Sequence, residues 1–157
     1  MAVEIERKFL VREDFKSYAF KKYTIKQGYL SKNEMNTVRI RVRDDEAFIT
    51  IKGKTTQGGF SRGEWEYRVP VSEAEEMLKL ALDEVISKTR YLIKSGNQTF
   101  EVDEFYGSNQ GLIMAEIELP DEQENFDRPD WLGEEVTSDI RYYNSYLSKY
   151  PFSTWEK

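Results

Sequence analysis

Cysteine and histidine are both missing from this chain of 157 residues. Without cysteine there is no disulfide, no thiol nucleophile and no thiolate metal site. Without histidine the chain lacks the commonest general base, the phosphohistidine route and the ligand of most zinc and iron sites. Any bound metal must therefore be a hard cation held by oxygen atoms, such as magnesium, manganese or calcium.

Long apolar runs and an excess of positive charge are absent as well. No apolar stretch approaches the roughly 18 residues of a membrane-spanning helix, and the N-terminal segment is charged from Glu4 onward. The net charge of −6 argues against a nucleic-acid partner. The chain is 39% hydrophobic and 33% charged, and it shows no linker or repeat. We therefore expect one domain over residues 1–157, located in the cytoplasm, with neither a membrane nor a nucleic-acid partner.

Most of the sequence alternates polar and apolar residues with the period of two that is typical of β-strands. Turn residues such as Asp44-Asp45 and Ser95-Gly96-Asn97 separate the segments, which favours antiparallel pairing in a meander. Eight strands are predicted, at 3–11, 23–30, 37–44, 47–54, 63–71, 86–94, 99–105 and 112–120. The sequence thus predicts a mainly β fold of the α+β kind.

Two helices are predicted among the strands. The segment "VSEAEEMLKLAL" has Ser72 followed three residues later by Glu75, which is a capping box. The segment "TSDIRYYNSYLSKY" places apolar residues at helical spacing, with Thr137 or Ser138 as its N-cap. A third segment, "REDFKSYAF", is expected to form a short helix or a turn.

The two faces of the predicted strands differ sharply in charge. One face is apolar and includes Trp65, which we expect in the core; the other, which includes Lys26, carries eleven basic and eight acidic groups. Like charges recur two residues apart, as in Arg39-x-Arg41, at roughly 6.5–7 Å, where they repel each other. A merely solvated face would mix the two signs. The sorting therefore indicates a binding surface.

Such a surface suits a short polyphosphate or the triphosphate tail of a nucleotide. Rows of arginine and lysine grip phosphate oxygens, and clustered carboxylates hold a divalent cation that bridges the same phosphates. An eight-stranded antiparallel sheet can close into a barrel. We therefore expect a closed eight-stranded β-barrel whose charged faces line a hydrated tunnel, with the flanking helices covering part of its apolar exterior.

The residues on this surface resemble those of the triphosphate tunnel metalloenzymes, also called the CYTH superfamily, which includes class IV adenylyl cyclases and thiamine triphosphatase. The hallmark of that family is E-x-E-x-K in the first strand, and "EIERK" at 4–8 matches it. The segments "RIR", "TIKGK", "SRGEWEY", "KTRY", "EVDEF" and "AEIEL" follow in the family's order. The likeness extends from residue 2 to about residue 150.

The resemblance implies a triphosphate-containing small molecule as substrate and Mg²⁺ or Mn²⁺ as cofactor. The implied metal ligands are acidic: Glu4, Glu6, Glu116 and Glu118 for one metal, and Glu64, Glu66 and Asp103 for a second metal. The implied phosphate-binding residues are basic: Lys8, Arg39, Arg41, Lys52, Arg62, Lys88 and Arg90. Four residues of these two sets are expected to act in catalysis: Glu4, Glu6, Lys8 and Lys52.

The leading hypothesis is a metal-dependent triphosphatase or tripolyphosphatase. A water molecule, oriented by a second metal or by Lys52, would attack the terminal phosphorus in line.

A class IV adenylyl cyclase, which forms cyclic AMP and pyrophosphate, is the first alternative. The compact chain shows no obvious segment to bind an adenine, which favours hydrolysis. A thiamine triphosphatase would need an aromatic platform such as Tyr29. A binding module for polyphosphate or nucleotides without turnover, a purely structural domain and a homodimer also remain open.

Overall fold

The computed structural model describes residues 5–54, 63–120 and 123–156. Its nine strands are β1 (Ile5–Val11), β2 (Lys21–Lys32), β3 (Asn36–Arg43), β4 (Glu46–Gly53), β5 (Glu64–Val69), β6 (Ile86–Ser95), β7 (Gln98–Phe105), β8 (Ile113–Leu119) and β9 (Leu132–Glu135). The two α-helices are α1 (Val71–Leu78) and α2 (Asn144–Lys149). Each predicted strand segment overlaps one of the first eight strands, whereas β9 was not predicted.

The nine strands form one antiparallel sheet in the order β5-β4-β3-β2-β6-β7-β8-β1-β9. Over the ranges that the structure describes, β5 and β9 are the two edges and no ladder joins them. The predicted closed eight-stranded barrel is therefore wrong. The physical reason lies at β1, which pairs with β8 on one side and with β9 on the other. Closing eight strands would require β1 to pair with β5, but β9 already holds that edge.

Strand β9 is short, and its sequence LGEE lacks the alternation that marks the other strands. It approaches β1 closely at Gly133, where an added Cβ would lie 2.9 Å from the carbonyl oxygen of Leu10. Glycine is required at this point because any larger residue would push the two strands apart. A side-chain pair also joins the strands: Arg7 donates from Nε to Glu135 Oε2 at 2.8 Å and from Nη2 to Oε1 at 2.5 Å.

This pair gives β9 a pH-dependent contribution to stability. The hydrogen bonds from Arg7 outweigh partial burial and, with one from Thr137, lower the pKa of Glu135 to about 2. A carboxyl whose folded pKa is depressed stabilises the fold above its ordinary pKa, and the effect is lost as the pH falls through the folded value. We expect Glu135→Gln to lower the free energy of unfolding by about 1 kcal/mol at pH 7, since a partly exposed pair contributes no more than that.

Urea denaturation at pH 7 and at steps down to pH 2 measures this difference. The gap between wild type and Glu135→Gln should narrow as the pH falls from about 4.5 to about 2. The neighbouring exposed Glu134 is the matched control, and Glu134→Gln should change little at any pH. A gap that stays constant across the acid range would contradict the assignment.

The apolar faces of the strands lie on the outer side of the sheet, where three separate groups of residues cover them. Over β1, β6, β7 and β8, Phe15 and Trp131 cover a core that includes Phe9 and Phe100. Helix α1 packs Ala74 and Leu78 on β3 and β4, and α2 packs Leu147 near the turn between β7 and β8. Fully burying each large apolar side chain contributes roughly 1.5–3 kcal/mol. The strands therefore leave their opposite faces for the charged residues.

Two predictions about strand β5 and helix α1 are wrong. Trp65 and Tyr67, on β5, are 50% and 60% exposed, so the prediction that Trp65 belongs to the core is wrong. The helix begins after Pro70 and no side chain caps it, so the predicted capping box at Ser72 is not formed. The ladder of β5 with β4 continues to Val69, and the chain turns into α1 at once.

The predicted C-terminal helix is divided in two. A 3₁₀ turn covers Ile140–Tyr142, Tyr143 is extended, and α2 follows. The side chain of Asp139 caps the 3₁₀ turn by accepting a hydrogen bond from the backbone N–H of Arg141, in place of the predicted Thr137 or Ser138. The predicted short helix or turn at 12–20 is a 3₁₀ turn at Lys16–Tyr18. No helix in the described ranges is long and apolar enough to cross a membrane.

Candidate functional site

A cavity of about 410 Å³ lies on the charged side of the sheet. Residues of seven strands, β1–β4 and β6–β8, contribute to its lining. Seven strands laid flat would span about 29 Å, so the sheet must curl to bring them around one cavity. The lining consists of Glu6, Lys8, Gln27, Tyr29, Thr37, Arg39, Arg41, Thr50, Lys52, Arg90, Glu101, Glu116, Glu118, Tyr143, Asn144 and Ser145.

Eight of the predicted site residues meet in this lining: Glu6, Lys8, Arg39, Arg41, Lys52, Arg90, Glu116 and Glu118. Lys88 and Asp103 are buried outside it, with exposed fractions of 0% and 2%. Glu64 and Glu66 lie on the exposed edge strand β5 and do not belong to the lining. Glu4 and Arg62 fall outside the described residues.

The acidic end of the cavity is organised around Lys8. Lys8 lies opposite Glu116, and Glu6 lies opposite Glu118, in the ladder between β1 and β8. The Lys8 ammonium contacts Glu116 Oε1 at 2.6 Å and Glu6 Oε1 at 2.8 Å. Burial lowers the pKa of Lys8, but these two carboxylates more than offset it and raise the pKa overall. The ring of Tyr143 faces the same ammonium at 4.8 Å.

Burial raises the pKa of Glu116 despite the opposing charge of Lys8, and Glu6 and Asp103 add to the increase. A further cation near this carboxylate would therefore be favourable. Within the described ranges, no three acidic side chains already form a metal-ligand cluster. The donor set nevertheless fits a hard cation, since magnesium needs only a few carboxylates beside water and substrate oxygens. Glu6 and Glu116 already converge on one positive group, Lys8 Nζ.

Behind the lining, Asp103 binds two cations at once. Its Oδ2 lies 2.8 Å from Lys88 Nζ, and Arg90 binds both of its carboxylate oxygens, at 2.9 and 3.0 Å. Burial would raise the pKa of Asp103, but Lys88 and Arg90 hold it well below its usual range. Lys88 also donates to Asn144 Oδ1 at 2.9 Å, which ties α2 to the sheet. In this arrangement Asp103 holds Arg90 in place.

Arg39 and Arg41 differ from these cations because neither forms an ion pair within the described chain. Arg41 donates from Nε and Nη2 to the neutral Gln27 Oε1, at 2.9 and 2.7 Å. Arg39 Nη2 lies 3.4 Å from Thr50 Oγ1, and its buried Nε has no hydrogen-bond partner among the described residues. A buried donor without an acceptor costs about 1–3 kcal/mol. This part of the cavity therefore favours a ligand that carries negative oxygen atoms.

The sequence pattern missed several lining residues and misplaced one. The missed ones include Gln27 and the segment Tyr143–Ser145, which reaches the cavity because the helix is interrupted at Tyr143. Lys26 was assigned to the charged face, but it points outward and lies 3.9 Å from Glu75 of α1. The register gives the reason: Gln27 lies opposite Arg41 and Tyr29 opposite Arg39, so these residues share the cavity face.

The profile of the CYTH domain family matches residues 2–149 of this chain, so the predicted resemblance to that superfamily is confirmed. An inorganic triphosphatase of Acetivibrio thermocellus is 47% identical over 159 residues, covering 100% of both chains. An inorganic triphosphatase of Nitrosomonas europaea is 37% identical over 149 residues, covering 92% of this chain and 96% of that protein. Among solved structures, the crystal structure of the inorganic triphosphatase NE1496 superposes with a TM-score of 0.73 at 33% identity, covering 94% of this chain and 95% of the other.

Proposed function

Because the chain belongs to the CYTH domain family, we propose that it is a divalent-metal-dependent inorganic triphosphatase. It hydrolyses the terminal phosphoanhydride bond of a tripolyphosphate, so that tripolyphosphate and water give pyrophosphate and phosphate. The inorganic triphosphatases with which it shares full-length similarity support this reaction. The pattern of charged residues in the sequence also predicts triphosphate hydrolysis.

The observation that carries the proposal is the separation of two kinds of charge in one cavity. Arg39 and Arg41 lack a carboxylate partner among the described residues, whereas Glu6, Glu116 and Glu118 line the same cavity. An extended triphosphate satisfies both groups, because its oxygens accept from the guanidinium groups and also bind a metal held by the carboxylates. No side-chain nucleophile is needed, which suits a chain without cysteine or histidine.

In this mechanism Arg39, Arg41 and Lys52 hold the phosphate chain extended and neutralise charge that develops on the phosphoryl oxygens. Arg90, held by Asp103, adds a guanidinium donor in a fixed position beside them. Glu6, Glu116 and Glu118 are the residues that would hold Mg²⁺ or Mn²⁺, and Glu4 is proposed to join them. The metal would supply Lewis-acid activation of a phosphoryl oxygen and a lowered pKa for bound water. Lys8 holds the carboxylates of Glu6 and Glu116 close together. Lys52 is proposed to orient the attacking water, as the sequence predicts.

An inorganic substrate is favoured over a nucleotide by the chemistry of the lining. Among the described residues the lining contains no aliphatic side chain, and its two aromatic rings belong to Tyr29 and Tyr143. Sites for drug-sized organic ligands are lined mainly by apolar groups. The ring of Tyr143 already faces the Lys8 ammonium. A cytoplasmic location and a homodimer are compatible with this function and stay predictions from the sequence.

Product analysis tests the proposal directly. The chain is incubated with tripolyphosphate or with ATP, in the presence of Mg²⁺ or Mn²⁺, and the products are resolved by ³¹P NMR and chromatography. We expect equal amounts of pyrophosphate and phosphate from tripolyphosphate, at a rate roughly tenfold or more above that with ATP. Cyclic AMP with pyrophosphate from ATP would instead identify a cyclase. Tight tripolyphosphate binding without turnover under either metal would identify a binding module.

A further inference from the structure

Gln27 is a buried polar residue of the cavity lining whose presence the pattern of charges does not explain. Its side chain is 1% exposed, and it lies on β2 directly opposite Arg41 of β3. Its Oε1 accepts both hydrogen bonds from Arg41, from Nε and from Nη2. Because a guanidinium group only donates, these bonds fix the orientation of the amide and leave Nε2 as the donor that does not face Arg41.

Arg41 differs from other basic residues of the site because its hydrogen-bond partner, Gln27, is a neutral side chain. Lys8 and Arg90 each contact carboxylates, so the protein itself balances their charges. A glutamate at position 27 could accept the same two hydrogen bonds, but it would also neutralise Arg41. The glutamine orients the guanidinium group without cancelling its charge. Burial, followed by the like charges of Arg39 and Arg90, lowers the pKa of Arg41, as expected for a cation that has no balancing partner.

Two unpartnered donors point to the same kind of ligand. Gln27 Nε2 and Arg39 Nε are the buried side-chain polar atoms that lack a hydrogen-bond partner among the described residues. Both belong to residues that line the cavity, on neighbouring strands. Phosphate oxygens have several lone pairs and accept from amide and guanidinium donors alike. One oxygen-rich anion in this cavity would satisfy both donors.

We propose that Gln27 is a substrate-positioning residue that holds Arg41 in place while leaving its charge available to the anion. Its own amide N–H donates to an oxygen of the same phosphate chain. The proposal rests on the proposed function, because it takes a triphosphate as the ligand. It differs from a structural role in one respect: the neutrality of the residue matters, and not only its ability to accept from Arg41.

Calorimetric binding of inorganic tripolyphosphate, without metal and at low salt, tests this with two variants. Gln27→Glu keeps both acceptor contacts to Arg41 but removes the amide donor Nε2. It also cancels the net positive charge of the pair formed by residues 27 and 41. We expect its dissociation constant to rise by roughly 10-fold or more, while its melting temperature stays at or above that of the wild type. Gln27→Met keeps the charge of Arg41 but loses the orientation, so its dissociation constant should rise less, roughly 2- to 5-fold.

The exposed Gln110 provides the matched control, because Gln110→Glu adds the same charge away from the cavity and should leave affinity unchanged. A Gln27→Glu variant that binds like the wild type would overturn the inference, as would a large drop in its melting temperature. A Gln27→Met variant that loses as much affinity as Gln27→Glu would show that only the scaffold contact matters. Wild-type protein that binds tripolyphosphate but does not hydrolyse it once Mg²⁺ or Mn²⁺ is added would refute the proposed function and leave the inference standing. Failure of the wild type to bind tripolyphosphate in the absence of metal would overturn the inference, whereas the proposed function would still be tested by hydrolysis with Mg²⁺ or Mn²⁺.

Discussion

Replacing Asp103 with asparagine is expected to lower the free energy of unfolding by about 3–5 kcal/mol. Its carboxylate is 2% exposed and is the counter-charge for Lys88, which is 0% exposed, and for Arg90. Asparagine retains the shape and one acceptor but no charge, so it leaves buried cations uncompensated. Chemical denaturation followed by circular dichroism at pH 7 measures the loss.

The pH dependence of this loss gives a sharper test. Burial lowers the pKa of Lys88 to about 8 even with Asp103 beside it, and Arg90 and Arg41 contribute to the decrease. Without Asp103 the pKa of Lys88 falls further, so Lys88 can relieve the cost by releasing its proton. The penalty of Asp103→Asn should therefore shrink as the pH rises to about 8 and then level off, because above that pH Lys88 is neutral in the folded wild type as well. In acid the penalty should also shrink, because wild-type Asp103 loses its contribution as the pH falls below its ordinary pKa of 3.8.

Asp45, an exposed carboxylate in the turn between β3 and β4, is the matched control for this substitution. Asp45→Asn should change the free energy of unfolding by no more than about 0.5 kcal/mol. A penalty for Asp103→Asn below about 1 kcal/mol at pH 7 would mean that Lys88 and Arg90 do not depend on this carboxylate.

Replacing Glu116 with alanine is expected to reduce tripolyphosphate hydrolysis by roughly 100-fold or more. Glu116 is 8% exposed and contacts Lys8 at 2.6 Å. Its removal takes a hard oxygen ligand from the proposed metal site and leaves Lys8 with Glu6 as its remaining carboxylate contact. Initial rates with Mg²⁺ give the loss of activity, and calorimetric binding of Mn²⁺ gives an independent measure that does not depend on turnover.

Glu104 is the control for Glu116, because its carboxylate pairs with Lys16 at 3.2 Å and it is not part of the cavity lining. Glu104→Ala should retain activity and Mn²⁺ affinity within a factor of about two. If Glu116→Ala keeps most of its activity and binds Mn²⁺ as the wild type does, the assignment of Glu116 as a metal ligand is wrong.

Sequence alternation predicted the strands and much of the candidate site because β3 and β8 carry their charges at a strict period of two. Alternation separates the two faces of a strand but does not say which face a weakly patterned strand turns inward. On β2 this led to Lys26 in place of Gln27, and only the register with β3 resolves it. Alternation also does not predict how deeply a residue is buried. Lys88 and Arg90 follow the same pattern, yet Lys88 is fully buried whereas Arg90 lines the cavity.

The error in the closure of the sheet has a different origin. Closure depends on which strand occupies the free edge of β1, and that edge is held by a four-residue strand with no periodic signal. Gly133 of this strand permits a close backbone approach to Leu10, and such a contact between distant parts of the chain leaves no local pattern. The exposure of Trp65 follows from the same open arrangement, because Trp65 lies on β5 at an edge of the sheet.

The unjoined edges of the sheet have a mechanical consequence. In a closed barrel the number of strands and their stagger fix the radius, so the interior cannot widen without breaking ladder hydrogen bonds. A sheet whose first and last strands are not paired, as with β5 and β9 over the described ranges, can change its curl with every ladder intact. Closure of the sheet therefore does not fix the distance between the arginines of β3 and the carboxylates of β1 and β8.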